Sequence, residues 1–297
     1  GTGSICRKTE GESRNFDSLK MNSPIATLPL YDLPEARIQT DALWKGLADS
    51  FRKFGLNSEP DSMSFKVPDA LFRADNCYAE TVFFAQICGY PLTHEFSGRF
   101  QVIATPVYKT PFFSGAEYRS AIVVHQQCEW ETLAQAEGSR AVINSKNSHS
   151  GFNILRFMVT QLTGVAHAEE KLNKAFFREV LISGGHRESL LRISQKQADV
   201  ATIDCLTWSM LERYAPENLQ ACRILELSPP APAPAFVTER DTSPAKLELF
   251  RKALQFACND PVLKSVCEQL FLENVEVLED NSYNSFLKME KESIEDL

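Results

Sequence analysis

Between residues 140 and 211 the chain repeats one order three times: a short aliphatic run, a small polar turn, then an amphipathic stretch. Residues 140–144 read as a strand, NSKNSHSG as a turn, and 152–162 as a helix carrying Ile154, Leu155, Met158 and Val159 at helical spacing. Residues 179–182, SGGH and 187–193 form the second unit, and 199–203, Asp204 and 205–211 form the third. No other feature restricts the chain as much. A strand that hands over to a helix through a polar turn aims the unpaired N–H groups of the helix start at the carboxyl edge of the sheet. Three such units in succession predict an α/β fold, with a parallel sheet and helices on both faces.

The remaining segments fit around that unit. Residues 25–30 form a short apolar segment that ends at the Leu33–Pro34 turn. A helix follows from Pro34 with Ala36, Leu43, Trp44, Leu47, Phe51 and Phe54 on one face, stopping at Gly55. Residues 64–68 are a strand candidate ahead of a helix start near Pro68, and Leu71 with residues 78–88 carries apolar character toward Gly89. Residues 100–107 and 120–124 read as strands. SPPAPAPAFVT reads as an extended crossover, since proline cannot continue a helix. Residues 243–273 look helical with a break at Pro261, the acidic tail beyond Glu273 is expected to fray, and residues 1–22 read as a flexible leader.

Composition excludes some classes. With 297 residues, 43% hydrophobic and 24% charged, the chain has the makeup of a globular protein with a sizeable core. A net charge of −8 argues against a general nucleic-acid binder, which needs a basic face. It leaves an anion site open, because backbone N–H groups at a helix start hold anions inside acidic proteins. No apolar run approaches the roughly 20 residues of a membrane helix. The eight cysteines are scattered without a CxxC or zinc-finger spacing, which reads as buried thiols and leans toward a reducing compartment.

The candidate chemistry sits on the polar turns. Ser148 and Ser150 offer hydroxyls, Gly151 permits close approach, and the helix behind them supplies free amides and a positive dipole end. Ser148 or Ser150 is equally an ordinary N-cap, and the pattern alone favours that plainer role. His186 in SGGH can donate to an anion or fix a carboxylate. Asp204 can meet a ligand ammonium or cap its helix, with capping again favoured. Tyr31, Gln86 and Tyr90 suit a pocket wall or ordinary packing, and Arg119 suits an oxyanion or plain solvation. A metal on His149, His186 and Asp204 lacks HxH or HExxH spacing, and no GxSxG, GxGxxG or P-loop pattern occurs. No metal, cofactor or catalytic residue is expected.

Taken together, LPLYDLPEAR, AQICGYPLTHEFSGRFQVIATPVY, YRSAIVV, NSKNSHSGFNILR, SGGHRESL and ADVATIDCLTWSML resemble, in order, the phosphate/phosphonate-type substrate-binding proteins of ABC transporters. The resemblance runs from about Leu28 to Thr238. It implies a two-lobed type II periplasmic-binding-protein fold with a ligand cleft between lobes, divided as 23–106 plus 228–297 against 107–227. It further implies that Ser148, His149 and Ser150 hold phosphonate oxygens, that His186 faces the cleft, that Asp204 meets a ligand amine, and that Tyr31 and Tyr90 are walls, with Gln86 and Arg119 as weaker transfers. The expected role is a non-enzymatic receptor for a small phosphonate- or phosphate-like oxyanion, partnered by an ABC permease. The alternative is a cytosolic sensory module of the same fold. No export signal is visible, so the expected location is periplasmic if such a signal has been removed and cytoplasmic otherwise.

Overall fold

The computed structural model describes residues 24–57, 60, 81–164, 175–279, 281–295 and 297. The expected leader, the strand at 64–68 and the helix start near Pro68 lie outside the described residues. Among the described residues the strands, in chain order, are β1 (Ile25–Thr27), β2 (Val82–Ile87), β3 (Phe100–Tyr108), β4 (Glu117–Tyr118), β5 (Ser120–His125) and β6 (Arg140–Ile143), followed by β7 (Glu179–Ile182), β8 (Val200–Asp204), β9 (Cys222–Leu227), β10 (Ala231–Pro232), β11 (Ala235–Glu239) and β12 (Leu272–Glu276). The helices are α1 (Arg37–Lys53), α2 (Gly89–Thr93), α3 (Ile154–Thr163), α4 (His186–Ser194), α5 (Cys205–Tyr214), α6 (Pro244–Asn259), α7 (Pro261–Gln269) and α8 (Asn284–Lys291).

Among the described residues two five-stranded sheets result, ordered β1-β2-β11-β3-β12 and β7-β6-β8-β5-β9. Each anchors one lobe. A short antiparallel pair, β10 against β4, joins the two stretches of chain that run between them. In the second sheet β6 pairs in parallel with β7 and with β8, as the three repeated units predict. The sheet is nevertheless mixed rather than wholly parallel. β5 lies antiparallel to both β8 and β9, because the chain enters this lobe along β5 and leaves it along the edge strand β9.

The first lobe is centred on aromatic packing. Phe51 of α1 is fully buried and meets Trp44, Phe83, Phe84 and Phe250 with ring centroids 5.3–6.2 Å apart. Burying one such ring is worth about 2–3 kcal/mol. The second core joins Ile122, Val124 and Ile143 of the sheet to Ile154, Leu155 and Val159 of α3, all fully buried. The expected helical region near the end is two helices, each with proline at its first position behind a side-chain cap. Ser243 Oγ accepts from Lys246 N at 3.2 Å, and Asp260 Oδ1 accepts from Val262 N at 2.9 Å.

The fraying tail is a correction. Beyond Glu273 the chain completes β12 on the first sheet and then forms α8. Tyr283 donates to the Ala233 carbonyl at 3.1 Å, Phe286 is fully buried, and Ile294 and Leu297 sit in the core of the second lobe. Apolar side chains at helical spacing within an acidic stretch give this segment a buried face, so charge on the other face does not unravel it.

Candidate functional site

The carboxyl edges of the two sheets meet, and the polar turns lie at that meeting. After β6, Ser148 adopts an extended conformation and its Oγ accepts from Gly151 N at 3.1 Å. Its carbonyl accepts from both Phe152 N (3.2 Å) and Asn153 N (3.0 Å), so the first turn, His149–Asn153, is a wide π-helical one ahead of α3. Ser148 is therefore an N-cap, as the plainer reading has it. Gly151 is required by close approach, since a Cβ there would overlap Asn144 Oδ1.

Ser150 Oγ lies 2.9 Å from His186 Nε2 and 3.4 Å from Ser148 Oγ, and Asn144 Nδ2 stands 3.5 Å from the same His186 nitrogen. Burial lowers the His186 pKa to about 4, opposed weakly by the Thr202 backbone, and burial alone lowers His149 to about 3. Both imidazoles are neutral near pH 7. The turn thus presents hydroxyls, amides and uncharged rings, a donor-rich surface without a cation, at the positive end of a helix dipole.

Asp204 closes β8 and opens α5. Its Oδ1 accepts from Leu206 N (2.7 Å) and Thr207 N (3.0 Å), and its Oδ2 accepts from Tyr31 Oη at 2.9 Å. Burial raises its pKa to about 6, against the pull of those three donors. The Tyr31 bond crosses from the helical turn after β1 in the first lobe to the edge of the second sheet. Tyr31 packs edge-on against Tyr108 at 5.8 Å, and its own pKa stands well above 10.0, chiefly through burial and then through the Asp204 charge.

The other expected residues divide. Gln86 is buried behind Tyr31: its Nε2 donates to Tyr108 Oη (2.8 Å) and to the Pro234 carbonyl (3.2 Å). Gln86, Tyr31 and Tyr108 line one small, mainly apolar cavity with Leu206 and Met210 of the opposite lobe. Arg119 serves the crossing between lobes, donating through Nη1 to the Ser228 carbonyl at 2.7 Å, while its own carbonyl accepts from Cys205 N at 3.0 Å. Tyr90 stands apart, its ring stacked on His94 and its hydroxyl donating to Glu290 at 2.5 Å.

Several residues of this junction escaped the sequence reading. Tyr118, fully buried, has its ring 6.0 Å from His149 and its hydroxyl 3.9 Å from Cys88 Sγ. Burial pushes the Cys88 thiol up, against the amides of His149 and Tyr90. Phe286 packs edge-on to His149 at 4.6 Å and occupies the space a Gly89 side chain would need. Position offered a hint for Tyr118, next to Arg119, and for Asn144, last before the polar turn. Nothing local marked Phe286. No three His, Cys, Asp or Glu side chains among the described residues are grouped to share a metal ion, so His149, His186 and Asp204 do not converge in that way. No helix among the described residues is long and apolar enough to cross a membrane.

Two lobes joined by paired crossings, with the polar helix starts of the second sheet turned toward the first lobe through the Tyr31–Asp204 and Glu35–Arg187 contacts, define a type II periplasmic-binding-protein fold. The chain belongs to the family described as "ABC transporter, phosphonate, periplasmic substrate-binding protein", whose model matches residues 81–290. Among solved structures, a binding protein component of an ABC phosphonate transporter from Pseudomonas aeruginosa superposes with a TM-score of 0.68 at 17% identity, covering 91% of this chain and 86% of that one. PhnD1 from Prochlorococcus marinus, solved in complex with methylphosphonate, gives 0.67 at 12% identity, covering 90% and 97%. XAC2383 from Xanthomonas citri, bound to ATP, gives 0.64 at 16% identity, covering 90% and 96%. Comparison with curated proteins finds no match. At these identities the structural likeness carries the fold, and the family match favours transport over the sensory alternative.

Proposed function

We propose that this chain captures a phosphonate- or phosphate-like oxyanion between its lobes in the periplasm and presents it to an ABC permease, without turning it over. The observation that carries this reading is the Ser148–Gly151 turn: two hydroxyls, a helix start and neutral histidines, buried at the junction of the lobes. Ser148, His149, Ser150 and His186 hold the oxyanion. Asp204 accepts a ligand N–H, Tyr31 and Gln86 form the wall of the first lobe, and Arg119 and Tyr90 support the crossing and the rim. The lobes divide as 23–106 plus 228–297 and 107–227, with the β4/β10 pair at the crossing, although β3 extends the first sheet to Tyr108 and Ile294 and Leu297 pack into the second lobe. Closure follows from differential affinity, because only the closed form lets both lobes touch the ligand.

The test is calorimetric titration of methylphosphonate, 2-aminoethylphosphonate and inorganic phosphate into wild type and the Ser148→Ala/Ser150→Ala variant. A hydrogen bond to a charged group is worth about 1.5–3 kcal/mol, so losing two weakens binding by roughly 100-fold or more. Cap loss lowers stability by about 1 kcal/mol and leaves the fold intact. Equal affinity in the two proteins would remove the turn from the site.

A further inference from the structure

A chain of contacts runs from the Ser148 turn to the C-terminal helix. Arg156 Nη2 donates to Asn153 Oδ1 at 3.1 Å, and Asn153 Nδ2 lies 3.1 Å from His149 Nδ1. A guanidinium only donates, so the amide atom facing Arg156 is the oxygen, and the NH2 end must face His149. That NH2 also only donates. His149 Nδ1 therefore accepts and carries no proton. Burial keeps the ring neutral, so its single proton resides on Nε2.

The arrangement is held from behind. Asn153 is fully buried, and the Arg156 side chain is 8% exposed. The guanidinium lies over the Phe152 ring at 4.7 Å and makes longer contacts of 3.4–3.5 Å with the Ile294 and Glu295 carbonyls and Glu290 Oε1. Glu290 is itself fixed by Tyr90 Oη and His94 Nε2, each at 2.5 Å. Residues far apart in sequence thus converge to set the orientation of one amide.

We propose that Asn153, oriented by Arg156, is a positioning residue that holds His149 as its Nε2–H tautomer, making the imidazole a neutral, permanent hydrogen-bond donor to the bound oxyanion. This rests on the reading of the Ser148 turn as the oxyanion site. With the proton on Nδ1, the ring would instead present an Nε2 lone pair, which repels an oxyanion and cannot replace the bond.

The experiment is nitrogen NMR on ligand-free protein labelled with 15N-histidine, with His149→Gln identifying the His149 resonances among those of the five histidines. Nδ1 is expected in the deshielded range of an unprotonated nitrogen and Nε2 in the range of a protonated one. Asn153→Asp retains shape and the Arg156 contact but can only accept, so it draws the proton to Nδ1 and the two resonances exchange character. Its affinity for methylphosphonate falls about tenfold, the loss of one charge-assisted hydrogen bond. Arg156→Met frees the amide to turn over and gives a mixture of the tautomers, an independent route should the Asp variant fold poorly. A proton on Nδ1 in wild type overturns the assignment, and so do tautomers that ignore both substitutions. Exchange of tautomer with unchanged methylphosphonate affinity overturns the role in binding. Failure of wild type to bind methylphosphonate or inorganic phosphate strikes the functional reading instead, while the tautomer measurement stands by itself.

Discussion

The turns after β6 and β8 are built from the same supersecondary unit on adjacent parallel strands, yet they present opposite chemistry. Each begins a helix behind a side-chain cap. At α5 the cap is Asp204, so the positive end of that helix already has an anion in place, bound by its own amides and by Tyr31. At the turn before α3 the cap is the neutral Ser148, and no acidic residue occupies the first turn. Helix dipoles favour negative charge at both sites. Only the one without a resident carboxylate is left to take it from outside. The oxyanion proposed for the Ser148 turn and the ligand N–H proposed for Asp204 fit that difference.

The sharpest way to break the comparison is to fill the Ser148 turn. Gly151→Ala would drive its Cβ into Asn144 Oδ1, with the Asn144 backbone nitrogen 3.3 Å behind, leaving the neighbour little room to give. Overpacking of this kind costs about 1–3 kcal/mol of stability. It also displaces Asn144 from His186, so oxyanion affinity is expected to drop by about 100-fold, or 2.7 kcal/mol. Gly185→Ala is the control. Its φ of −165° suits any residue, and its Cβ would meet only the flexible carboxylate end of Glu188, so affinity should stay within about threefold, under 1 kcal/mol. Calorimetry on both variants decides, and wild-type affinity in Gly151→Ala would detach the site from this turn.

The second prediction sharpens the other side. Asp204 has a folded pKa of about 6, above its ordinary 3.8 because of burial. Between about pH 4 and pH 6 the folded state therefore holds a proton there that the unfolded chain has released. This contribution favours folding fully below about pH 4 and disappears as pH rises through about 6. Asp204→Asn cannot titrate. Relative to that variant, wild type should lose roughly 3 kcal/mol between pH 4 and 7, from about two pKa units at 1.36 kcal/mol each. Thermal melts of the pair across that range measure it, and other titrating groups cancel in the difference. A constant gap would mean that Asp204 is solvated, which would undo the contrast between the turns.

The sequence makes the two turns legible to different degrees. NSKNSHSG announces itself locally, since hydroxyls, glycine and the following apolar spacing lie within a dozen residues. Asp204 could be read as a cap, but its bond to Tyr31 joins residues 173 apart and depends on how the lobes meet. The mixed second sheet was hidden for the same reason: a local repeat describes β6, β7 and β8 but not the crossings that bring β5 and β9 in antiparallel. Residues 281–297 were least legible. Their composition is acidic and polar, and the spacing of Tyr283, Phe286 and Glu290 acquires meaning only once Gly89 and His149 are there to receive Phe286.

The smallest effect concerns what holds the two lobes near each other when no ligand helps. Arg187, just after His186, makes a paired contact with Glu35 of the opposite lobe, Nη1 to Oε1 at 2.9 Å and Nη2 to Oε2 at 2.7 Å. Both side chains remain about one-third exposed, at 34% and 33%, so water and salt screen the pair. Exposed pairs contribute about 0.2–1 kcal/mol. A double-mutant cycle over Glu35→Gln and Arg187→Gln should give a coupling in that range, read as a change of up to about fivefold in oxyanion affinity through the closed population. The coupling should shrink between low and high salt, whereas the losses at Gly151 and Ser148 should persist, because buried contacts are screened less. Salt-independent coupling would mean that this pair is part of the buried junction itself, and the division into an inner pair of turns and an outer, screened contact would have to be redrawn.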